Sequence, residues 1–201
     1  MAARTRRATS QEVSKRQLPP EEKGKRAAQH TDNGLVRAPG YFAGTIGVRR
    51  LLKCFAKYDI KTTWFIPGHT LETFPAECAL IRDAGHEIGL HGYSHENPLA
   101  MSIDQQTAIM DKCYRLLSDF CGRPPRGIVA PWWESSREGA ELMLRYGLEY
   151  DHSFSHDDCQ CYYLRTGDEW VPIDYEKQPE HWMKPLKRGK MTGIVEIPSN
   201  W

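Results

Sequence analysis

The chain is 201 residues long and carries 27 Lys and Arg against 26 Asp and Glu, a formal charge of +1, which excludes nucleic-acid or membrane-surface binding driven by bulk charge. No apolar run reaches the roughly 18 residues a membrane span requires, and no apolar stretch follows the basic start as in a secretory signal. The expected location is therefore cytoplasmic, and the six cysteines read as free thiols rather than a disulfide framework.

Charge is not spread evenly. Residues 1–40 hold nine Lys/Arg against four acids, no aromatic, and only Val13, Leu18, Leu35 and Val36 as branched aliphatics. Such a stretch buries too little apolar area to offset chain entropy, so it is expected to be a disordered basic tail. Its Arg, Ser and Thr content also resembles a mitochondrial presequence, although its apolar face is poor.

From residue 41 onward, helix and strand patterns alternate. Val48, Leu51, Leu52 and Phe55 have the spacing of a half-buried helix. Ile60 to Ile66 is a β-branched and aromatic strand ended by Pro67-Gly68. Pro75 suits the first turn of a helix with Phe74, Cys78 and Ile81 on one face, and Gly85 closes it. His86 to Leu90 is the second strand. Ser102 and Gln105 form a capping box ahead of a helix that turns Ile109, Cys113, Leu116, Leu117 and Phe120 inward and stops at Gly122 and Pro124-Pro125. Gly127 to Ala130 is the third strand. Ser135 with Glu138 predicts a second capping box, and Gly147 ends that helix. Leu148 to Asp151 and Ile194 to Ile197 are the fourth and fifth strands.

This alternation implies parallel βαβ units whose chemistry sits on the loops at the strand C-termini. His69 follows the first strand, His91 and His95 the second, Trp132, Trp133 and Glu134 the third, and His152 to Asp158 the fourth. Two imidazoles four residues apart, as in His91 and His95, can converge on one cation, or can be two polar loop histidines. His69 reads as a partner orienting those histidines or as a turn residue. Trp132 and Trp133, an aromatic pair at a strand end, can stack on sugar rings or plug a barrel mouth, with one exposed and one buried. Glu134 is a cleft carboxylate or a favourable charge at a helix start. His152, His156, Cys159 and Cys161 have zinc-ligand chemistry, but the C-x-C spacing is tighter than usual. In the same loop Asp157, Asp158, Tyr162 and Tyr163 are candidate substrate contacts.

His86-Glu-Ile-Gly-Leu-His-Gly-Tyr-Ser-His-Glu-Asn-Pro98 resembles the histidine motif of the polysaccharide deacetylase family (carbohydrate esterase family 4, the NodB homology domain). Thr63-Trp-Phe-Ile-Pro-Gly-His-Thr70 and Ala130-Pro-Trp-Trp-Glu134 are similar to segments of its peptidoglycan- and chitin-deacetylase-like branch. The resemblance covers roughly residues 41–201 and makes that stretch a partial deacetylase domain. It implies an α/β fold, an incomplete distorted (β/α) barrel of the polysaccharide deacetylase type. It also implies a divalent metal, usually zinc, held in part by His91 and His95, and hydrolysis of the N-acetyl groups of a glycan such as chitin or peptidoglycan. No nucleic-acid or membrane partner is implied.

The sequence departs from the family pattern at both ends. The family's base and metal-binding aspartates lie on a strand before the helix near Thr45, where this chain has its basic stretch with Asp32 as the nearest acid. The general-acid histidine would fall beyond Trp201. The third motif's arginine would fall near Val129, and Arg126 is displaced by three residues. The expectation is a truncated, weakly active or inactive deacetylase. The alternatives are a hydrolase of small cyclic amides or imides, to which the same branch is similar, and a carbohydrate-binding remnant without catalysis.

Overall fold

The computed structural model describes residues 39–155 and 158–199. The chain divides into two units after Gly47, and each is described by itself. In the first, the short helix α1 (Pro39–Phe42) runs into a π-turn, Ala43–Gly47, where the Thr45 hydroxyl donates back to the Tyr41 carbonyl at 2.7 Å. The predicted tail lies outside the described residues, apart from Pro39 and Gly40, which start α1.

The second unit contains α2 (Val48–Lys57), β1 (Thr63–Ile66), α3 (Gly68–Thr73), α4 (Pro75–Asp83) and β2 (Glu87–Leu90), followed by α5 (Ile103–Cys121), β3 (Gly127–Ile128), α6 (Gly139–Arg145), β4 (Tyr150–Asp151), β5 (Tyr162–Thr166) and β6 (Lys190–Glu196). Among the described residues the strands form one open sheet in the order β1-β2-β3-β4-β6-β5. All neighbouring pairs are parallel except β5 with β6. This is the expected α/β architecture, with strand C-termini gathered at one edge.

Local chemistry explains most boundaries. Pro75 opens α4, where its missing N–H costs nothing. Both hydrogen bonds of the Ser102–Gln105 capping box form at the start of α5. Gly122 ends α5 at φ 67°, a left-handed conformation that suits glycine. The buried face of α5 is Gln106, Met110, Cys113 and Leu117. Its i, i+4, i+7, i+11 spacing overlaps the predicted set at Cys113 and Leu117, while Ile109, Leu116 and Phe120 flank it, half-buried.

Two expectations are corrected. Ser135 and Glu138 make no capping box: α6 begins only at Gly139, with Glu138 as an N-cap whose side chain makes no cap bond. Ser136 in that stretch donates to Gln106 at 2.8 Å, holding the loop against α5. The second correction is β5, which was not anticipated. Tyr162 lies in that strand, paired with Glu196 of β6, rather than in a loop. The turn beyond β5 is closed by Asp168, which pairs with Arg165 at 2.7 Å and accepts the Gly189 N–H at 2.7 Å.

The core lies between the sheet and helices α4, α5 and α6. Register aligns Ile66, Leu90, Ile128, Asp151 and Glu196 in one row across five strands. Cys78, Ile81, Met110, Cys113, Leu117, Leu142 and Met143 are buried with that row. On the opposite face Gly127 leaves room for the Tyr150 ring, because a Cβ there would come within 2.1 Å of it. No helix among the described residues is long and apolar enough to cross a membrane.

Candidate metal and substrate site

His91 is the first residue beyond β2, and its ring is half-buried. Its Nδ1 lies 2.8 Å from the Val129 carbonyl. A carbonyl only accepts, so Nδ1 carries the proton and the Nε2 lone pair is left for a cation. Burial, the larger cause, and the neighbouring His95 lower the His91 pKa and favour the neutral ring a metal needs.

The segment from His91 to His95 is bound tightly enough to fix both imidazoles. Glu96 accepts the Tyr93 and Ser94 N–H groups at 2.8 and 2.6 Å. Gly92 accepts from the Gly68 N–H at 3.0 Å and from the Cys113 thiol at 3.2 Å. Gly92 and His95 both have positive φ, 63° and 65°, which folds the segment back on itself. The two imidazole centroids end 4.9 Å apart at an interplanar angle of 70°. The four-residue spacing allowed either convergence or two separate loop histidines, and the rings lie side by side. Among the described residues no third His, Cys, Asp or Glu joins them to make a three-donor group.

The two rings open onto a cavity of about 750 Å³, lined mainly by apolar and aromatic groups, among them Phe55, Trp64, Phe65, Trp132 and Trp133, with His152 as a further imidazole. Both tryptophans are exposed, at 62% and 43%, so the expectation of one exposed and one buried is corrected. Each indole N–H is tied to a backbone carbonyl: Trp132 donates to His95 at 3.0 Å and Trp133 to His152 at 3.2 Å. The two residues sit in the left-handed region, at φ 66° and 51°, a strain that persists only where surrounding structure enforces it.

The other candidates are scattered. Glu134 is exposed and accepts from the Asn97 side chain at 2.5 Å, linking the loops after β3 and β2. The His69 ring meets Tyr93 at 6.0 Å. Asp158 is exposed at φ 54° and accepts from the Cys159 thiol. Asp157 and His156 lie outside the described residues, as does Asp32. Half-buried Tyr162 packs against the core. His152, which the sequence places after the fourth strand and among zinc-type donors, lines the cavity instead, while Cys159 and Cys161 are exposed.

A model of the polysaccharide deacetylase family matches residues 24–151. This chain belongs to that family. The match begins inside the basic N-terminal stretch and ends at the last residue of β4. A Helicobacter pylori peptidoglycan deacetylase is 52% identical over 162 residues, covering 81% of this chain and 55% of that protein. The peptidoglycan deacetylase-like protein FGM2 of Gibberella zeae is 44% identical over 176 residues, covering 86% and 52%. The chain thus spans about half the length of the curated relatives it matches. Among solved structures, a candidate polysaccharide deacetylase from Mycobacterium smegmatis superimposes with a TM-score of 0.66 at 26% identity, over 87% of this chain and 55% of that one. Puue allantoinase superimposes with a TM-score of 0.55 at 29% identity, over 62% and 41%.

Proposed function

We propose that this chain is a metal-dependent hydrolase of N-acetyl groups on glycans such as peptidoglycan or chitin, with His91 and His95 contributing imidazoles to a divalent ion, zinc by the chemistry of its donors. The observation that carries the reading is the orientation of His91: its Nδ1–H is spent on Val129, so its Nε2 lone pair is available beside His95. The donor chemistry suits zinc, which takes imidazole nitrogens readily. Bound there, the ion would polarise an amide carbonyl and lower the pKa of a water molecule. Identity to peptidoglycan deacetylases supports the glycan assignment.

The protein's own residues have separable roles in this reading. Burial lowers the His91 pKa and favours its neutral form. Trp132 and Trp133 offer apolar faces to pyranose rings. Glu134 holds two strand-end loops together through Asn97. Asp158, exposed in the loop after β4, is assigned to a substrate contact, and His69 to supporting the histidine loop through Tyr93. Two imidazoles hold a divalent ion less firmly than three donors do, and the described residues alone, which offer no third donor beside His91 and His95, predict weak metal affinity and slow turnover.

Zinc titration of the full chain, followed by acetate release from triacetylchitotriose, tests the reading. His91→Ala should weaken zinc binding at least about tenfold. Unchanged affinity in that variant would remove His91 and His95 as the ligand pair. The likeness to Puue allantoinase favours a second reading, hydrolysis of small cyclic amides. Turnover of a cyclic imide with none of the chitin trimer would decide for it.

A further inference from the structure

His152 follows β4 and lines the same cavity as His91 and His95. Its imidazole is held on two sides. Nδ1 lies 2.5 Å from the Ile197 carbonyl, and the ring stacks on Phe65 with centroids 6.4 Å apart at an angle of 20°. A carbonyl cannot donate, so Nδ1 carries a proton, and the tautomer with that one proton keeps an unshared pair on Nε2. Nε2 has no partner among the described residues. In a cavity walled largely by tryptophan, phenylalanine and aliphatic groups, it is one of the few atoms able to accept a hydrogen bond from an occupant.

Topology sets its relation to the paired imidazoles. His91 follows β2 and His152 follows β4, with β3 between them. Two interstrand spacings separate them by roughly 10 Å at the backbone. A trans secondary amide points its C=O and N–H in opposite directions. An amide whose oxygen turns toward His91 and His95 turns its hydrogen away from them, and His152 lines the same cavity two strands along.

We propose that His152 is a specificity residue: its Nε2 accepts the N–H of the substrate's acetamido group and so distinguishes an N-acetyl group from an O-acetyl group. This deepens the glycan reading above and rests on it. Trp133, whose indole N–H is bonded to the His152 carbonyl, sets a sugar-stacking face beside that acceptor.

Calorimetry on the zinc-supplemented full chain tests this with two probes, triacetylchitotriose and an analogue in which each acetamido group is replaced by acetoxy. Wild type should prefer the acetamido trimer roughly tenfold, the worth of one hydrogen bond left unmade in a desolvated site. His152→Ala should lose the preference while binding the acetoxy trimer as before. His152→Gln, which can again present an acceptor, should recover part of it. Nitrogen-15 spectra of the wild-type imidazole provide a check that needs no variant: the Nε2 resonance should move with the acetamido trimer and not with the acetoxy one. Equal affinity of wild type for both trimers, or a preference that survives His152→Ala, overturns the role of His152 alone. Failure of wild type to bind either trimer overturns the glycan reading and this inference with it.

Discussion

The two faces of the sheet are built on opposite priorities. The helix-covered face aligns Ile66, Leu90 and Ile128 in register and seals them under α4, α5 and α6. The cavity face carries Phe65, His91, Val129 and His152, with two exposed tryptophans at its edge. Residues on the first face are held by apolar contact over a large area. Those on the second are aimed by single hydrogen bonds to backbone carbonyls, as in His91, Trp132, Trp133 and His152. Burial on one side supplies stability, and the rigid strands it produces carry polar groups on the other side in fixed directions.

The largest expected effect tests the covered face. Leu90 is 1% exposed, and Leu90→Ala should cost about 3 kcal/mol, transfer and cavity contributions together. Denaturant unfolding would measure it. A loss below about 1 kcal/mol would mean that the row does not anchor the fold.

The covered face has one exception, and it gives the second prediction. Asp151 and Glu196 occupy the same row, both fully buried and directly paired in register. Asp151 accepts the Ser153 hydroxyl at 2.5 Å and the His152 N–H at 2.8 Å, and Glu196 accepts the Phe154 N–H at 2.9 Å. Two carboxylates so close cannot both ionise cheaply. Burial first, then repulsion from Asp151, pushes Glu196 from its ordinary 4.5 up to about 8. A carboxyl that binds its proton more tightly folded than unfolded stabilises the fold most below its unfolded pKa. That contribution falls as pH rises from about 4.5 and is gone above about 8. The melting temperature should therefore drop across this window, and Glu196→Gln should flatten the profile. A melting temperature that rose with pH over the same range would refute the shared-proton pair.

Much of this division was legible in the sequence. Strand-end position singled out His91, His95, Trp132 and Trp133, and hydrophobic spacing found α2, α4 and α5. What escaped depended on contacts distant in sequence. Asp151 and Glu196 meet only because β6 returns beside β4. β5 is recognisable as a strand chiefly through its antiparallel partner, and its first residues, Tyr162 and Tyr163, read as part of a loop. Ser135 has the residue type and spacing of an N-cap, but Ser136 is drawn to Gln106 and the helix starts later. Local propensity gave way to a tertiary bond in that case.

A smaller effect probes how the cavity loops are supported. The start of α5 follows the loop after β2, and Ser102 caps it through the Gln105 N–H at 3.3 Å. Ser102→Ala should cost about 1 kcal/mol while leaving zinc affinity unchanged, because the histidine segment is held separately by Glu96 and Gly92. A parallel loss of zinc affinity would show that the helix cap and the histidine loop act as one unit.

The smallest expected change in stability is at Trp132, where the two faces should differ most. Its indole is 62% exposed, so truncation uncovers little core. Its backbone sits at φ 66°, where a non-glycine residue costs roughly 1 kcal/mol and glycine nearly nothing. Trp132→Gly removes the bond to the His95 carbonyl but also relieves that strain, so the melting temperature should stay within a few degrees of wild type. Trp132→Ala keeps the strain and should melt slightly lower than the glycine variant. Both should bind triacetylchitotriose more weakly, since the stacking face is gone. If the glycine variant instead lost as much stability as Leu90→Ala, the cavity face would be carrying the fold, and the division of labour between the faces would have to be abandoned.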